Sequence, residues 1–309
     1  MIFGKHVRVF HYRPAAFLRI SGLDAPEFLQ GQFTQDLKPI GLQDVVYGLW
    51  LNQKGRVEAD GFLFRVKEAE WVLASYEGCG QAIRERLERY IVADDVVVED
   101  ETARWNGVCL LDIGGPVVSE LRKQGGGVMF RGRRGGGECW EWLRPVDAEP
   151  EAGCEFLSEA EEVGFSEMER RRIEAGVPMV PRDAGPGDLP NEAGLERDAI
   201  SYTKGCYLGQ EVISRLKSLG RVRRRLWRVR WEEARGGGPD ASPERVLPAG
   251  LFAGGRKVGE LRSMARTDEG SGLAKCMGLA MLSVDGAEPG ALLSWSEGGE
   301  AAVGCEFPV

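Results

Sequence analysis

The order of hydrophobic patterns along the first half of the chain constrains the fold more than any other feature. A short strand pattern at Phe17 to Ile20 precedes a helix pattern that begins near Asp24, where Glu27 completes a capping-box-like start. Hairpin, strand, helix and strand patterns follow, and a similar order recurs loosely up to residue 143. This order predicts antiparallel α+β layers. The later predicted segments are 45–51, 56–66, 71–75, 81–91, 96–99, 108–112, 117–124, 128–130 and 139–143.

The last part of the chain has a different composition. A glycine-rich stretch around Arg235 to Pro243 is followed by short strand patterns separated by glycine turns, which is typical of a small β-barrel. Just before it, the alternation that begins at Leu226 places one set of residues on one face and two arginines on the other, namely Trp227, Val229 and Trp231 against Arg228 and Arg230. Such alternation predicts a half-buried strand.

Composition limits the size and the partners of the protein. With 309 residues, of which 43% are hydrophobic, the chain is long enough for two or three domains. A formal net charge of −8 argues against direct nucleic-acid binding over a wide surface, although it leaves room for a local basic patch. The glycine- and arginine-rich segment from Gly125 to Gly137 is predicted to form loops between strands, and an RNA-contacting tail is the alternative.

Cysteine usage bears on metal binding and on compartment. The seven cysteines include no CxxC pair, and the chain has two histidines, so the spacing predicts no zinc or iron–sulfur cage within one chain. A dispersed, odd set of thiols is typical of a reducing compartment. Because the N-terminal segment lacks a signal-peptide core and no segment resembles a membrane span, we expect a cytoplasmic protein. The cysteines are Cys79, Cys109, Cys139, Cys154, Cys206, Cys276 and Cys305.

The octet KGCYLGQE, from Lys204 to Glu211, has the composition of a functional turn. Gly205 and Gly209 flank Cys206 and permit positive φ angles or the close approach of a ligand. A helix pattern begins near Gln210, so the partial positive charge of its N-terminus, together with Lys204, is expected to favour the thiolate form of Cys206. The alternative is a glycine-rich turn that holds a half-buried cysteine.

KGCYLGQE closely resembles the KGCYxGQE signature of YgfZ-type folate-binding proteins, which are relatives of the glycine cleavage T-protein. The segments AFLRISGLDAPEFLQGQFTQDL, GRKVGELRSMART, GLAML and CEFPV are similar to further parts of that superfamily. The resemblance implies three modules around a folate-sized hole. We therefore predict a folate-binding region over 1–225, with an α+β module inserted at about 44–145, and a C-terminal β-barrel over 226–309.

Glu174 is the first candidate for pterin recognition. A reduced folate needs a carboxylate for its pterin N–H donors, an apolar wall and cations for its glutamate tail. Glu174 lies at the end of a helix pattern that begins with a capping box of Ser166 and Glu169 and stops at Gly176. RIEAGVP is similar to the T-protein segment whose Glu holds the pterin, which implies this role for Glu174. A surface ion pair with Arg170, four residues earlier, is the alternative.

Asp60 is the candidate catalytic carboxylate. It shares strand parity with Phe62 and Phe64, so we expect it on a buried face, where desolvation raises a carboxyl pKa unless the group is paired. A solvated position at the rim of the strand is the alternative. NQKGRVEAD matches the T-protein stretch that ends in the catalytic Asp, which implies that Asp60 orients a substrate amine and folate.

Six arginines lie between Arg221 and Arg230, and the upstream members, including Arg223, are candidates for contacts with the folate tail or a phosphate backbone. A solvated basic strand edge is the alternative reading. Tyr207 is predicted either to stack on a ligand or to belong to the core. The predicted cofactor-binding residues are Glu174, Lys204, Gly205, Tyr207, Gln210, Glu211 and Arg223.

The resemblance implies a tetrahydrofolate-binding accessory protein that supports iron–sulfur cluster assembly or repair in client enzymes, including tRNA-modifying enzymes. In this prediction Cys206 makes contact with a transiently bound cluster, with a client protein or with an oxidised adduct. The alternative is a folate-dependent aminomethyl or one-carbon transferase, in which Asp60 orients the amine and Glu174 holds the pterin. An RNA-binding module without folate is disfavoured by the acidic net charge and by the absence of a recognised RNA motif.

Overall fold

The computed structural model describes residues 7–124, 126–148, 159–234, 245–267 and 273–309. The chain divides into two compact units, each assembled from segments that are distant in sequence. The sheet unit consists of Met1–Arg133, Gly137–Gly164 and Arg197–Ser214, and the barrel unit consists of Arg134–Gly136, Phe165–Glu196 and Arg215–Val309.

The sheet unit is built mainly from ten strands and three helices. In chain order these are β1 (Arg8–Tyr12), β2 (Ala16–Ser21), α1 (Ala25–Gln32), β3 (Val45–Leu51), β4 (Val57–Lys67), β5 (Glu70–Ser75), α2 (Gly80–Glu88), β6 (Val97–Asp100), β7 (Trp105–Leu111), α3 (Gly115–Gln124), β8 (Val128–Arg131), β9 (Cys139–Pro145) and β10 (Glu161–Glu162).

The first sheet of this unit is antiparallel, with the strand order β3-β4-β5-β2-β6. On one face, Leu29 of α1 and Leu87 of α2 share a buried core with Trp50 of β3. On the opposite face, Phe62 of β4 packs against Phe130 of β8, with ring centroids 4.6 Å apart. Alternating side chains of one strand therefore belong to two different cores.

The second sheet has the strand order β10-β1-β7-β9-β8, in which only the short β1–β10 pairing is parallel. Val118 and Leu121 of α3 share a core with Leu110 and Trp142 on one face. The other face carries Phe130 and meets the first sheet. The sheet unit is thus a layered α+β structure, as predicted.

The barrel unit contains a closed barrel with the strand order β11-β14-β13-β12-β15-β16, and α4 packs against β13 and β14. Trp227, Val229 and Leu251 are among the buried side chains of the barrel core. The α5 helix begins in the sheet unit and ends in the barrel unit. The elements are α4 (Phe165–Glu174), α5 (Gln210–Leu219), β11 (Arg224–Ala234), β12 (Ala249–Ala253), β13 (Arg256–Thr267), β14 (Leu273–Ser283), β15 (Leu292–Ser294) and β16 (Ala301–Pro308).

The structure confirms the predicted C-terminal β-barrel and the alternation in its first strand, where Trp227 and Val229 are buried and Arg230 is exposed. The predicted glycine-rich interruption at Arg235 to Pro243 lies outside the described residues. The division at 225/226 and the insertion at about 44–145 stay predictions. Among the described residues, no helix is long and apolar enough to cross a membrane.

Both predicted capping boxes are wrong. Asp24 makes no side-chain cap to α1, because its carboxylate accepts a hydrogen bond from the backbone N–H of Asp95 at 2.7 Å. The α4 helix already includes Ser166, and the Glu169 carboxylate accepts hydrogen bonds from Arg172. A distant residue thus takes the carboxylate of Asp24, whereas Arg172 of the same helix and Arg182 take that of Glu169.

Candidate functional site

Lys204 anchors the KGCYLGQE loop to the C-terminal end of α1. Its Nζ donates to the backbone carbonyls of Gln30, Phe33 and Gln35 at 2.7, 2.7 and 2.8 Å. The last carbonyls of a helix lack partners within the helix, so an ammonium group with three donors is well suited to this position. Burial lowers the pKa of Lys204 to about 8, which leaves it mostly protonated at neutral pH. All three N–H donors of Lys204 therefore bind backbone carbonyls. A direct contact between Lys204 and folate stays a prediction.

The two glycines of the loop differ in the space that surrounds their α-carbons. Gly209 has a φ of +84°, and a Cβ atom there would lie 2.5 Å from the carbonyl oxygen of Asn52 in the β3–β4 hairpin. A side chain at Gly209 is therefore excluded by conformation and by contact. A Cβ atom at Gly205 would meet no atom within 4 Å. Gly209 is therefore tightly enclosed, whereas Gly205, next to Cys206, has open space beside it.

The residues after Cys206 serve as further anchors. Tyr207 is buried, which raises its pKa to about 12, and the Lys204 ammonium lies 5.3 Å from the centroid of its ring. The backbone N–H of Tyr207 donates to the Gln210 side chain at 3.1 Å. The backbone N–H of Leu208 donates to the carbonyl of Gly31 at 3.1 Å. Tyr207 belongs to the core in this structure, so stacking on a ligand stays only a prediction.

Cys206 itself is exposed, in contrast to its anchored neighbours. The α5 helix begins at Gln210, as predicted, and Glu211 lies exposed in its first turn. Of the cysteines in the described residues, only Cys79 is also exposed. The fold therefore presents one thiol of this motif to solvent on a rigid base.

Asp60 lies on the buried face that its parity with Phe62 predicts, and it is 3% exposed. The Tyr47 hydroxyl donates to its Oδ2 at 2.7 Å, and the Ser75 hydroxyl donates to its Oδ1 at 3.2 Å. Burial raises the pKa of Asp60 to about 6, although the Tyr47 hydrogen bond and the charge of Arg133 act in the opposite direction. A carboxyl group with this pKa can take up and release a proton near neutral pH, which suits general acid–base chemistry.

Arg133 is a component of this site that sequence analysis missed. Its guanidinium carbon lies 3.9 Å from the centroid of the Tyr47 ring, and it forms an ion pair with Asp198 at 2.9 Å. Its backbone N–H donates to the Tyr76 hydroxyl at 3.1 Å. The sequence places Arg133 in a segment with loop composition, and no local pattern distinguishes it from the neighbouring arginines.

The raised pKa of Asp60 makes the free energy of unfolding depend on pH. Because the folded-state pKa lies above 3.8, the stabilisation by the protonated carboxyl is complete below that value and is lost as the pH rises through 6. Asp60→Asn has no titrating carboxyl group at this position, so the variant does not lose this stabilisation as the pH rises. From about pH 4.5 to about pH 8, the unfolding free energy of the variant relative to wild type should rise by about 2 kcal/mol. Urea unfolding at both pH values measures the change.

Tyr47→Phe provides a second test of the same group. It removes a donor that lowers the pKa of Asp60, so the pKa should rise further and the total change in unfolding free energy with pH should exceed that of wild type. Equal pH dependence in wild type and both variants would show that Asp60 is not the titrating group.

Glu174 lies at the end of α4 in the barrel unit, and its side chain is half exposed. Arg170 donates to it at 3.0 Å, so the surface ion pair that sequence analysis gave as the alternative is present. Glu174 also lines a cavity of about 1080 Å³ together with Arg230, Trp231 and Arg266. This cavity combines a carboxylate, an aromatic ring and cations.

The arginine run divides into different roles. Arg223 is exposed in the barrel unit, just before β11. Arg224 forms ion pairs with Asp188 and Glu192 at 3.0 and 2.9 Å, and therefore holds the fold together. Glu174 and Arg223 belong to the barrel unit, whereas Asp60 and the loop from Lys204 to Glu211 belong to the sheet unit.

A buried ion cluster holds the segment that follows α4. The guanidinium of Arg172 is 1% exposed and donates to Glu169 at 2.9 Å, to Asp183 at 2.6 Å and to the carbonyl of Val177 at 2.7 Å. Burial alone would lower the pKa of Arg172, but the carboxylates of Asp183 and Glu169 raise it well above its usual value. The cluster fixes the last turn of the helix that carries Glu174.

Comparisons with known proteins agree with this architecture. Residues 3–124 match the GCVT N-terminal domain family. The crystal structure of glycine cleavage system aminomethyltransferase T from Bartonella henselae superposes with a TM-score of 0.74 at 18% identity, over 99% of this chain and 86% of that chain. The mouse (Mus musculus) protein "Iron-sulfur cluster assembly factor IBA57, mitochondrial" is 28% identical over 235 residues, which are 70% of this chain. The match spans 64% of the length of that curated relative.

The family match covers residues 3–124, and the fold resemblance to the aminomethyltransferase extends over nearly the whole chain. Together with the octet KGCYLGQE, the similarity to IBA57 supports the resemblance to YgfZ-type proteins. The predicted cytoplasmic location stays a prediction, since the name of the curated relative gives it as mitochondrial.

Proposed function

We propose that this protein supports the assembly or repair of iron–sulfur clusters in client enzymes, including those that modify tRNA, and that Cys206 makes the essential contact. The observation that carries the proposal is the exposed Cys206 on a loop whose neighbours Lys204 and Gly209 are held by backbone contacts. A thiol in this setting is suited to a transient ligand or adduct, because a partner can reach it without unfolding the loop. The cluster is cargo in this proposal and remains shared with a partner.

Reduced folate is the proposed small-molecule ligand. The residues of the barrel-unit cavity fit its chemistry, because Glu174 offers a carboxylate to N–H donors, Trp231 an aromatic surface, and Arg230 and Arg266 positive charge for carboxylates. A bound reduced folate would supply a carrier for one-carbon groups. The protein residues would bind and orient it.

An aminomethyl or one-carbon transferase is the second candidate function. It is favoured by the buried carboxyl of Asp60, whose pKa of about 6 allows proton exchange and whose orientation is set by Tyr47 and Ser75. Asp60→Asn separates the two functions. Transfer to an amine or carbon acceptor should be abolished, whereas support of iron–sulfur enzymes should persist if Asp60 only stabilises the fold.

Calorimetric titration with tetrahydrofolate tests the ligand proposal. Glu174→Ala should weaken binding by about 10- to 100-fold, which corresponds to one charged hydrogen bond. Glu167→Ala is the control for the ion pair, because Glu167 also pairs with Arg170, at 2.7 Å, and lines the same cavity. Its affinity should fall less than that of Glu174→Ala if Glu174 contacts the pterin.

Each other outcome has a definite meaning. If both variants bind tetrahydrofolate equally weakly, the loss of affinity comes from the disturbed Arg170 and not from a lost contact between Glu174 and the pterin. An absence of binding to wild type would remove folate from the proposal, while the role of Cys206 would remain testable in cells.

A further inference from the structure

A second group of thiols lies in the interior of the sheet unit, separate from the KGCYLGQE loop. Cys109 of β7 pairs directly with Glu141 of β9, and Cys139 pairs with Leu111 on the same two antiparallel strands. Because alternate residues of a strand share one face, all four side chains project from the same side of the sheet. The pairing brings together two cysteines that are thirty residues apart in sequence.

The polar atoms of this group lie close together in a buried setting. The two Sγ atoms and a carboxylate oxygen of Glu141 all lie within 4.8 Å of one another. Cys109 is 0%, Cys139 3% and Glu141 0% exposed. Around one tetrahedral zinc ion, ligand atoms are separated by roughly 3.4 to 3.8 Å, as follows from bond lengths of about 2.0 to 2.3 Å. Small side-chain rotations would close the difference.

The Glu141 carboxylate is held in place by a tyrosine that is not itself one of the three clustered residues. The Tyr76 hydroxyl donates to Oε1 of Glu141 at 2.8 Å and accepts the backbone N–H of Arg133 at 3.1 Å. Ligands of metal ions are commonly held in this way by a second hydrogen-bonded residue.

A glycine packs closely against the same atoms. A Cβ atom at Gly132 would lie 2.5 Å from Oε1 of Glu141 and 3.0 Å from Sγ of Cys139. The backbone N–H of Gly132 donates to the carbonyl of Cys139 at 2.9 Å, which holds the glycine at this distance. Any larger residue would clash with the carboxylate and the thiol, so the glycine allows these atoms their present positions.

We propose that Cys109, Cys139 and Glu141 form a binding site for one thiophilic divalent cation, with Zn²⁺ as the first candidate and Fe²⁺ as the second. Two thiolates and a carboxylate match the ligand preferences of both ions. The three groups would leave one position of a tetrahedral ion for a further ligand. Coordination releases the two thiol protons to solvent and changes no oxidation state. The site is independent of Cys206 and of folate.

A disulfide between Cys109 and Cys139 is the competing use of the same thiols. It requires an external oxidant and a sulfur–sulfur distance of about 2.05 Å, and it gives no role to Glu141. Mass spectrometry of alkylated protein distinguishes the two, because a disulfide lowers the number of alkylated cysteines by two. Quantitative formation of that disulfide in protein isolated under reducing conditions would overturn the proposal.

Titration of the chelator-treated, reduced full-length protein with Co²⁺ tests the site directly. Wild type should bind about one equivalent with thiolate-to-cobalt charge-transfer absorption and the visible bands of a tetrahedral ion. Cys139→Ser should lose most of the charge-transfer absorption. Cys276→Ser, which alters a buried thiol of the barrel, and Cys206→Ser should both retain it. Competition with Zn²⁺ and with Fe²⁺ then ranks the two candidate ions.

Two further variants separate coordination from folding. Glu141→Gln keeps the size of the side chain and should weaken Co²⁺ binding with the two thiolate bands retained. Tyr76→Phe should weaken binding by about 10- to 100-fold, the usual cost of removing an outer hydrogen bond from a metal ligand. An absence of stoichiometric Co²⁺ binding by wild type, or an identical spectrum in a folded Cys139→Ser variant, would overturn the proposal.

Discussion

Replacing Cys206 by serine is expected to abolish the support of iron–sulfur enzymes in cells and to leave the fold intact. Serine has nearly the same size but is a poor ligand for iron and does not form the adducts of a thiol. Cys206 is exposed, so the free energy of unfolding should change by less than about 0.5 kcal/mol. The measurement is the activity of a four-iron enzyme and the level of an iron–sulfur-dependent tRNA modification in cells that lack their own homologue.

Cys79→Ser is the matched control for this experiment. Cys79 is the other exposed cysteine of the described residues, it also precedes a helix, and it belongs to the same unit. It should complement as well as wild type. Full complementation by Cys206→Ser would show that the thiol is dispensable and would leave the octet with a structural role alone.

Arg172→Met is expected to cause the largest loss of stability. The substitution keeps an apolar stem of similar length but leaves the carboxylates of Glu169 and Asp183 buried without their main partner. Breaking a buried ion cluster by removing one member costs about 3 to 5 kcal/mol. Urea unfolding followed by the fluorescence of the eight tryptophans, which include Trp227 and Trp231 of the barrel core, measures the loss.

Arg170→Met tests whether burial is the reason. Arg170 lies two residues away on the same helix and is 33% exposed, and it pairs with Glu167 and Glu174 at the surface. Surface pairs contribute about 0 to 1 kcal/mol, so this variant should unfold almost like wild type. Similar losses in the two variants would indicate that helix propensity, rather than the buried cluster, determines the effect.

Local patterns were sufficient to predict much of the fold. The period-two alternation of the first barrel strand placed Trp227 inside and Arg230 outside, and the same rule placed Asp60 on a buried face with Phe62. These predictions succeed because strand parity depends only on the backbone and not on the partner. The start of α5 at Gln210 was predictable for a similar reason, since apolar spacing and a preceding glycine are both local signals.

Other features could not be read from local patterns, because they depend on contacts between distant segments. Lys204 was predicted to act on Cys206 or a ligand, yet its ammonium is bound by carbonyls about 170 positions earlier in the chain. Arg133 reaches the Asp60 site from a segment with loop composition. Cys109 and Cys139 show no CxxC spacing, and only the pairing of β7 with β9 makes them neighbours.

The segment from Arg197 to Ser214 completes the sheet unit, although the intervening Phe165–Glu196 belongs to the barrel unit. During synthesis, α1 therefore leaves the ribosome long before the lysine that binds its last carbonyls has been made. The thiol of Cys206 cannot take its final position until about two thirds of the chain has been translated. A nascent chain that ends before this point lacks the loop altogether, so the Cys206 thiol is presented only after α1 and the β3–β4 hairpin that hold the loop have been made.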